Sequence, residues 1–110
     1  MYRDTSMNLP AEISNHLDEL RVLAVDCGIR SVSIIGSACT DAFDPIRSDL
    51  DLLVDFGDYT DDLGARMLRF SADTQRIFGG HVDVMSQHGI RNKTWQAIHE
   101  ACQVPVYAAA

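Results

Sequence analysis

The sequence lacks several features that mark secreted and membrane proteins. Its three cysteines, Cys27, Cys39 and Cys102, are odd in number and widely spaced, and no CxxC pair occurs among them. This pattern favours reduced thiols over a disulfide framework or a structural zinc site. The first ten residues, MYRDTSMNLP, contain no apolar stretch of the signal-peptide kind, and no apolar run approaches membrane-spanning length. We therefore expect a protein of the cytoplasm.

Basic residues are also scarce. Nine Lys and Arg residues stand against sixteen Asp and Glu residues, and the formal net charge is −7. Such a protein gains nothing from generic attraction to the phosphates of nucleic acid or to anionic lipid. We therefore expect no membrane partner and no direct nucleic-acid partner.

The bulk composition is that of a folded globular protein. Hydrophobic residues make up 46% of the chain and charged residues 23%. A chain of 110 residues is long enough to bury an ordinary core, and no repeat or linker-like tract divides it. We expect a single domain over residues 1–110.

The hydrophobic spacing predicts alternating helices and strands. A helix is expected over residues 10–27, then a strand in SVSIIGS that ends at Gly36, a short irregular helix around 38–42 and a loop at DPIRS. A second strand is expected from Asp49 to Phe56, and an amphipathic helix that begins near Leu63 and is stopped by Gly79-Gly80. HVDVMS is a third strand, a last helix lies around 90–102, and VPVYAAA is an edge strand or an extended tail. This order indicates an α/β (α+β) fold, a small mixed β-sheet flanked by helices.

The second strand carries an unusual set of acidic residues. One face is wholly apolar, while the other face carries Asp49, Asp51, Leu53 and Asp55. Asp49 and Asp51 lie about 6–7 Å apart along the strand, so a cation between them would relieve their repulsion. Carboxylate oxygens suit Mg²⁺, and Asp83 in the third strand is the best-placed third ligand for a two-metal site. Asp55 is expected to belong to a solvated acidic edge.

A glycine-serine turn precedes these acids. Gly36 lets the backbone approach a ligand closely, and Ser37 offers a hydroxyl and an amide at a helix N-terminus, where phosphate is favoured. GSACTDAFDPIRSDLDLLVDF followed by HVDVMS resembles the signature of the polymerase-β-like nucleotidyltransferases. The size of the chain and its C-terminal segment are similar to those of the minimal nucleotidyltransferases of the MntA type. Those proteins are the antitoxins of HEPN toxins in toxin–antitoxin pairs.

The resemblance implies a function and a set of site residues. Asp49, Asp51 and Asp83 would bind Mg²⁺, and Gly36 and Ser37 would hold the triphosphate of ATP. The implied reaction transfers AMP to a hydroxyl, which in that family's antitoxins belongs to a tyrosine of the HEPN toxin. A hetero-oligomer with such a toxin is then expected, and association of the chain with itself is left open.

Two departures from the family pattern keep other functions open. Eleven residues separate Ser37 from Asp49, one more than usual, and ACTDAF lacks the basic residue that commonly follows the turn. Arg47 is the candidate to replace it at the triphosphate. The alternatives are an antitoxin that neutralises its partner by binding alone, and a nucleotidyltransferase that acts on a small molecule. An EF-hand loop at Asp49 is excluded, because Leu53 and Val54 occupy positions that need a ligand and a glycine.

Overall fold

The chain folds into three helices and four strands over the residues that the structure describes. A computed structural model describes residues 9–36, 49–86 and 103–109. Its elements are α1 (Ala11–Ser14), α2 (Leu17–Asp26), β1 (Ser31–Ile35), β2 (Leu50–Asp55), α3 (Leu63–Phe78), β3 (Val82–Ser86) and β4 (Gln103–Ala108). The helices predicted around 38–42 and 90–102 and the DPIRS loop lie outside the described residues, as do Ser37 and Arg47.

The four strands form one mixed sheet in the order β3-β2-β1-β4. β1 runs antiparallel to both β2 and β4, whereas β2 and β3 are parallel. A parallel pair needs a long crossover connection, and α3 lies within the segment that joins β2 to β3. The predicted mixed sheet with helices is confirmed, and the segment left open as an edge strand or a tail is the edge strand β4.

One face of the sheet carries the hydrophobic core. On β2 and the residue after it, the four apolar side chains of alternate positions are at most 4% exposed: Leu50, Leu52, Val54 and Phe56. They pack with buried side chains of α2 and with Phe70 of α3, whose ring meets the ring of Phe56 edge-on at a centroid distance of 6.0 Å. The apolar face predicted for this strand is therefore confirmed. Its burial leaves the alternate residues, including Asp51, on the opposite face.

The helix predicted over residues 10–27 is wrong as a single element, because the chain breaks between α1 and α2. His16 adopts φ −113° and ψ 8°, which is not helical, and its N–H bonds to the carbonyl of Ile13 rather than four residues back. The His16 ring is held by Glu19, with Nδ1 3.0 Å from Oε1, and by an edge-on contact with Phe78 of α3. The apolar spacing survives the break, because Ile13 and Leu17 are both 2% exposed.

The predicted end of α3 is confirmed. Gly79 follows the helix in the left-handed conformation, with φ 81° and ψ 21°, and the N–H of Gly80 donates to the carbonyl of Gln75 at 2.6 Å. A bond that reaches back over this distance satisfies a helix-terminal carbonyl and turns the chain away from the helix axis. The turn delivers the chain to β3, beside β2.

The described residues bear on the expected absence of membrane spans and on the state of one cysteine. Within residues 9–36, 49–86 and 103–109, no helix is both long enough and apolar enough to cross a membrane. Cys27 is a buried free thiol, and burial raises its pKa, so it stays protonated and unreactive near neutral pH. Cys39 and Cys102 lie outside the described residues.

Arg66 of α3 joins three parts of the chain. Its Nε donates to the carbonyl of Cys27 at 2.8 Å, and its Nη2 donates to the carbonyls of Gly28 at 2.7 Å and Phe56 at 2.8 Å. Its Nη1 donates to Oγ1 of Thr60 at 3.0 Å. The cation thus binds the carbonyls of the two residues that follow α2, where positive charge is favoured, and fixes the end of β2 beside them.

Replacing Arg66 by Met should lower the free energy of unfolding by about 2–4 kcal/mol, because carbonyls at three places lose a charged donor. Urea unfolding followed by circular dichroism measures this change. Arg76→Met is the matched control in the same helix, since Arg76 is 75% exposed and pairs only at the surface with Asp73. The control should change stability by less than about 0.5 kcal/mol. Equal effects of the two substitutions would contradict the role given to Arg66.

Candidate functional site

The parallel pairing of β2 and β3 sets two carboxylates side by side. Asp51 of β2 lies in register with Asp83 of β3, and paired residues of neighbouring strands present their side chains on the same face. Neighbouring strands lie about 4.8 Å apart, which brings the two carboxyl groups within reach of each other. The sequence prediction that Asp83 joins Asp51 requires this register, and the structure has it.

Asp51 occupies an unfavourable electrostatic position. It is half-buried, and its partner across the antiparallel pair with β1 is Ile35, which is 4% exposed. Burial raises the pKa of Asp51 above its ordinary value of 3.8, the charges of Asp83 and Asp49 raise it further, and a hydrogen bond with the Asp83 carboxyl adds to the rise. A carboxylate that meets two like charges without a cation favours its protonated form. A divalent cation at this place would reverse that preference.

Gly36 closes one side of the site. It follows β1 with φ 75°, and a Cβ built on it would lie 2.8 Å from Oδ2 of Asp51. Real Cβ atoms essentially never approach another atom so closely. Glycine is therefore required here twice, by the backbone conformation and by the carboxylate. The group that lies close to Gly36 in this structure is the Asp51 carboxylate, and the predicted approach of a phosphate to Gly36 stays a prediction.

Asp49 lies at the mouth of the site, one residue before β2. It precedes Asp51 by two residues, and its charge contributes to the raised pKa of Asp51. Its Oδ1 lies 3.8 Å from Nδ1 of His81, and the two side chains are 54% and 75% exposed. The backbone N–H of Leu50 donates to the carbonyl of His81 at 2.8 Å. The segments that begin β2 and β3 are thus tied to each other beside the acids.

Asp55 departs from the expected solvated edge. Its side chain is 15% exposed and lies 4.0 Å from Nη1 of Arg30. Its Oδ1 accepts the N–H of Gly57 at 2.9 Å. This acid stabilises the turn at the far end of β2 and does not belong to the candidate site.

The three aspartates fit a hard divalent cation by the chemistry of their donors. They supply carboxylate oxygens only. Asp51 and Asp83 are joined by a hydrogen bond that requires one of them to be protonated, and a bound cation would take the place of that proton. In the segments that the structure describes, no three His, Cys, Asp or Glu side chains converge as a ready-made metal-binding group. The Asp49 carboxylate lies beside His81 instead. Ser37 and Arg47, the other two predicted site residues, lie outside the described residues.

Comparison with known proteins supports the fold. The chain is similar to the MNT antitoxin in the solved complex of tri-AMPylated Shewanella oneidensis HEPN toxin with MNT antitoxin. The likeness has a TM-score of 0.61 and 13% sequence identity, and it covers 86% of this chain and 71% of the other. At this identity it establishes the fold alone. No family model matches the sequence. No curated protein matches it either.

Asp51→Asn should stabilise the metal-free protein near neutral pH. The pKa of Asp51 is raised above 3.8 in the folded state. Between pH 3.8 and the raised pKa, the folded state therefore binds more protons than the unfolded chain. The free energy of unfolding falls as the pH rises through this range. The amide removes the charge and can still donate to Asp83. The stability gap between variant and wild type should therefore widen from pH 4 to pH 7.5 in urea unfolding with a chelator present.

The control for this experiment is Asp58→Asn, whose side chain is 95% exposed outside the site. Its effect on stability should be small, because its ion pair with Arg30 is exposed. A gap for Asp51→Asn that stays constant over the whole range would contradict the electrostatic account of Asp51.

Gly36→Ala should lower the free energy of unfolding by about 1–3 kcal/mol, since Ala disfavours a positive φ and its Cβ displaces the Asp51 carboxylate. Gly64→Ala is the matched control, because nothing lies within 4 Å of a Cβ at this position in α3. The control should raise stability by about 0.5 kcal/mol. In an Asp51→Ala background, the loss of unfolding free energy caused by Gly36→Ala should fall to the part that comes from the positive φ alone. An equal cost in both backgrounds would mean that the carboxylate is not what excludes a side chain.

Proposed function

We propose that this protein is a Mg²⁺-dependent nucleotidyltransferase that acts as an antitoxin by transferring AMP from ATP to a hydroxyl of a HEPN-type partner toxin. The observation that carries the proposal is the pairing of Asp51 with Asp83, with Asp49 close by, against the backbone of Gly36. The likeness to an MNT antitoxin whose partner toxin is tri-AMPylated supports the same function.

In this proposal Asp49, Asp51 and Asp83 hold Mg²⁺, which when bound supplies charge stabilisation to the reacting phosphoryl group. Gly36 and Ser37 hold the triphosphate, and Arg47 contributes its positive charge there. The lowered barrier then rests on positioning and electrostatics more than on covalent chemistry by the protein.

The reaction is a substitution at the α-phosphorus of ATP. The oxygen of the acceptor hydroxyl forms a bond to that phosphorus, and the bond to the oxygen that bridges to the β-phosphate breaks. Pyrophosphate leaves with the bridging oxygen, and the hydroxyl proton passes to solvent. The products are the AMP ester of the acceptor and pyrophosphate, so no oxidant or further reactant is needed.

The exposure of the site favours a large acceptor. Asp49 and Asp83 are exposed, and Asp51 is half-buried, so the carboxylates face outward from the sheet. A small hydroxyl compound would need walls around it to be oriented. A partner protein brings its own surface to the site, and a tyrosine on that surface is the acceptor we propose.

Transfer of label from α-labelled ATP to the co-purified partner tests the proposal. Asp49→Asn, Asp51→Asn and Asp83→Asn should each reduce transfer at least ~100-fold, because each removes a negative ligand of the cation. A chelator should abolish transfer, and added Mg²⁺ should restore it. Asp58→Asn keeps the same change of charge at an exposed position outside the site and should retain transfer. Failure of the wild-type protein to label its partner would overturn the proposed function.

A binding-only antitoxin is the second candidate, favoured by the absence of a basic residue in ACTDAF and by the eleven-residue spacer. Growth of cells that express the toxin separates the two candidates. If Asp49→Asn with Asp51→Asn still neutralises the toxin, neutralisation rests on binding. If neutralisation is lost while the variant still co-purifies with the toxin, it rests on transfer. Labelling of small hydroxyl compounds by the isolated chain would favour the small-molecule alternative.

A further inference from the structure

His81 has an unusual backbone. It is the one non-glycine residue with a positive φ in the part of the chain that the structure describes, at 59°. Gly79 and Gly80 immediately before it also have positive φ, at 81° and 98°. Side chains disfavour this region, although His is among the residues found there more often. A third glycine would fit the same turn without strain.

A strained residue that persists needs contacts that hold it. The carbonyl of His81 accepts the N–H of Leu50 at 2.8 Å, which fixes its backbone to the first residue of β2. Its ring Nδ1 lies 3.8 Å from Oδ1 of Asp49, the residue before Leu50. The backbone of His81 therefore fixes Leu50, and its ring lies next to the Asp49 carboxylate, beside the pair formed by Asp51 and Asp83.

The contact with Asp49 contributes little to folding. The two side chains are 75% and 54% exposed, and an exposed pair of this kind adds little stability. The substitution that relieves the backbone, His81→Gly, should even favour the fold. The effect of the side chain is therefore expected in the orientation of the Asp49 carboxylate.

We propose that His81 is a positioning residue that restrains the Asp49 carboxylate at the mouth of the metal site. This inference rests on the proposed function, since it takes Asp49 as a ligand of the divalent cation. Partners that orient a ligating carboxylate typically change metal affinity 10–100-fold when they are removed. Because this contact is exposed, we expect the lower end, about 10-fold.

Binding of Mn²⁺ alone, followed by the electron paramagnetic resonance of the free ion, tests the inference without catalysis. Mn²⁺ takes the same oxygen ligands as Mg²⁺. His81→Gly should weaken Mn²⁺ binding about 10-fold, while its melting temperature in chelator stays equal to or above that of the wild type. His81→Asn should recover most of the affinity, because Asn tolerates a positive φ and its amide nitrogen occupies the place of Nδ1.

Two controls separate positioning from a general effect. His16→Asn alters another histidine–carboxylate pair, His16 with Glu19, away from the site and should leave Mn²⁺ affinity unchanged. In an Asp49→Asn background, His81→Gly should change the affinity by less than about 2-fold, because His81 acts through the missing carboxylate.

The outcomes distinguish this inference from the proposed function. If the wild type binds Mn²⁺, Asp51→Asn weakens the binding and His81→Gly does not, the metal site stands and the role of His81 is overturned. A 10-fold loss of equal size in both backgrounds would overturn it as well. If the wild type binds no Mn²⁺, the metal site falls, and the inference falls with it.

Discussion

The buried apolar face of β2 is the constraint on which the candidate site depends. Its apolar face is sealed into the core by side chains such as Leu52 and Val54, both fully buried. A slip of one residue in register would turn that face outward and drive Asp51 into the core. Burying an unpaired carboxylate costs at least several kcal/mol, comparable with much of the stability of a small domain. The core thus selects the register, and the register places the acid beside Asp83.

The candidate site lowers the stability of the fold. Asp51 meets like charges at a half-buried position, Gly36 is held against its carboxylate, and His81 retains a backbone that glycine would adopt more easily. Such features persist only where other interactions hold the surrounding structure. Here the aromatic contact between α3 and the end of β2, and the bonds from Arg66 to the carbonyls behind it, supply that support. Stabilising contacts and destabilised groups lie at opposite ends and faces of the same strand.

The sequence predicted local elements well where one pattern decided them. Alternation defined β2, and the successive glycines after Phe78 defined the end of α3. It failed at His16, because apolar residues spaced like Ile13 and Leu17 fit either one helix or two helices joined by a short break. It gave no sign of the role of Arg66, since a helix pattern says nothing about which distant carbonyls a cation will meet. The burial of Asp55 was missed as well, because Arg30, which precedes β1, comes near it only in the folded sheet.

The pairing of Asp51 with Asp83 needs more than two matching motifs. It needs β2 and β3 to be parallel neighbours, which the long crossover through α3 permits and a tight hairpin would forbid. The length of α3 and its left-handed ending at Gly79 then determine where β3 begins, and the bond from Leu50 to His81 fixes that beginning against β2. The two carboxylates are therefore brought together by the folding of the chain itself. A cation would bind to a pair already assembled, and its binding energy would offset the repulsion that the fold has imposed.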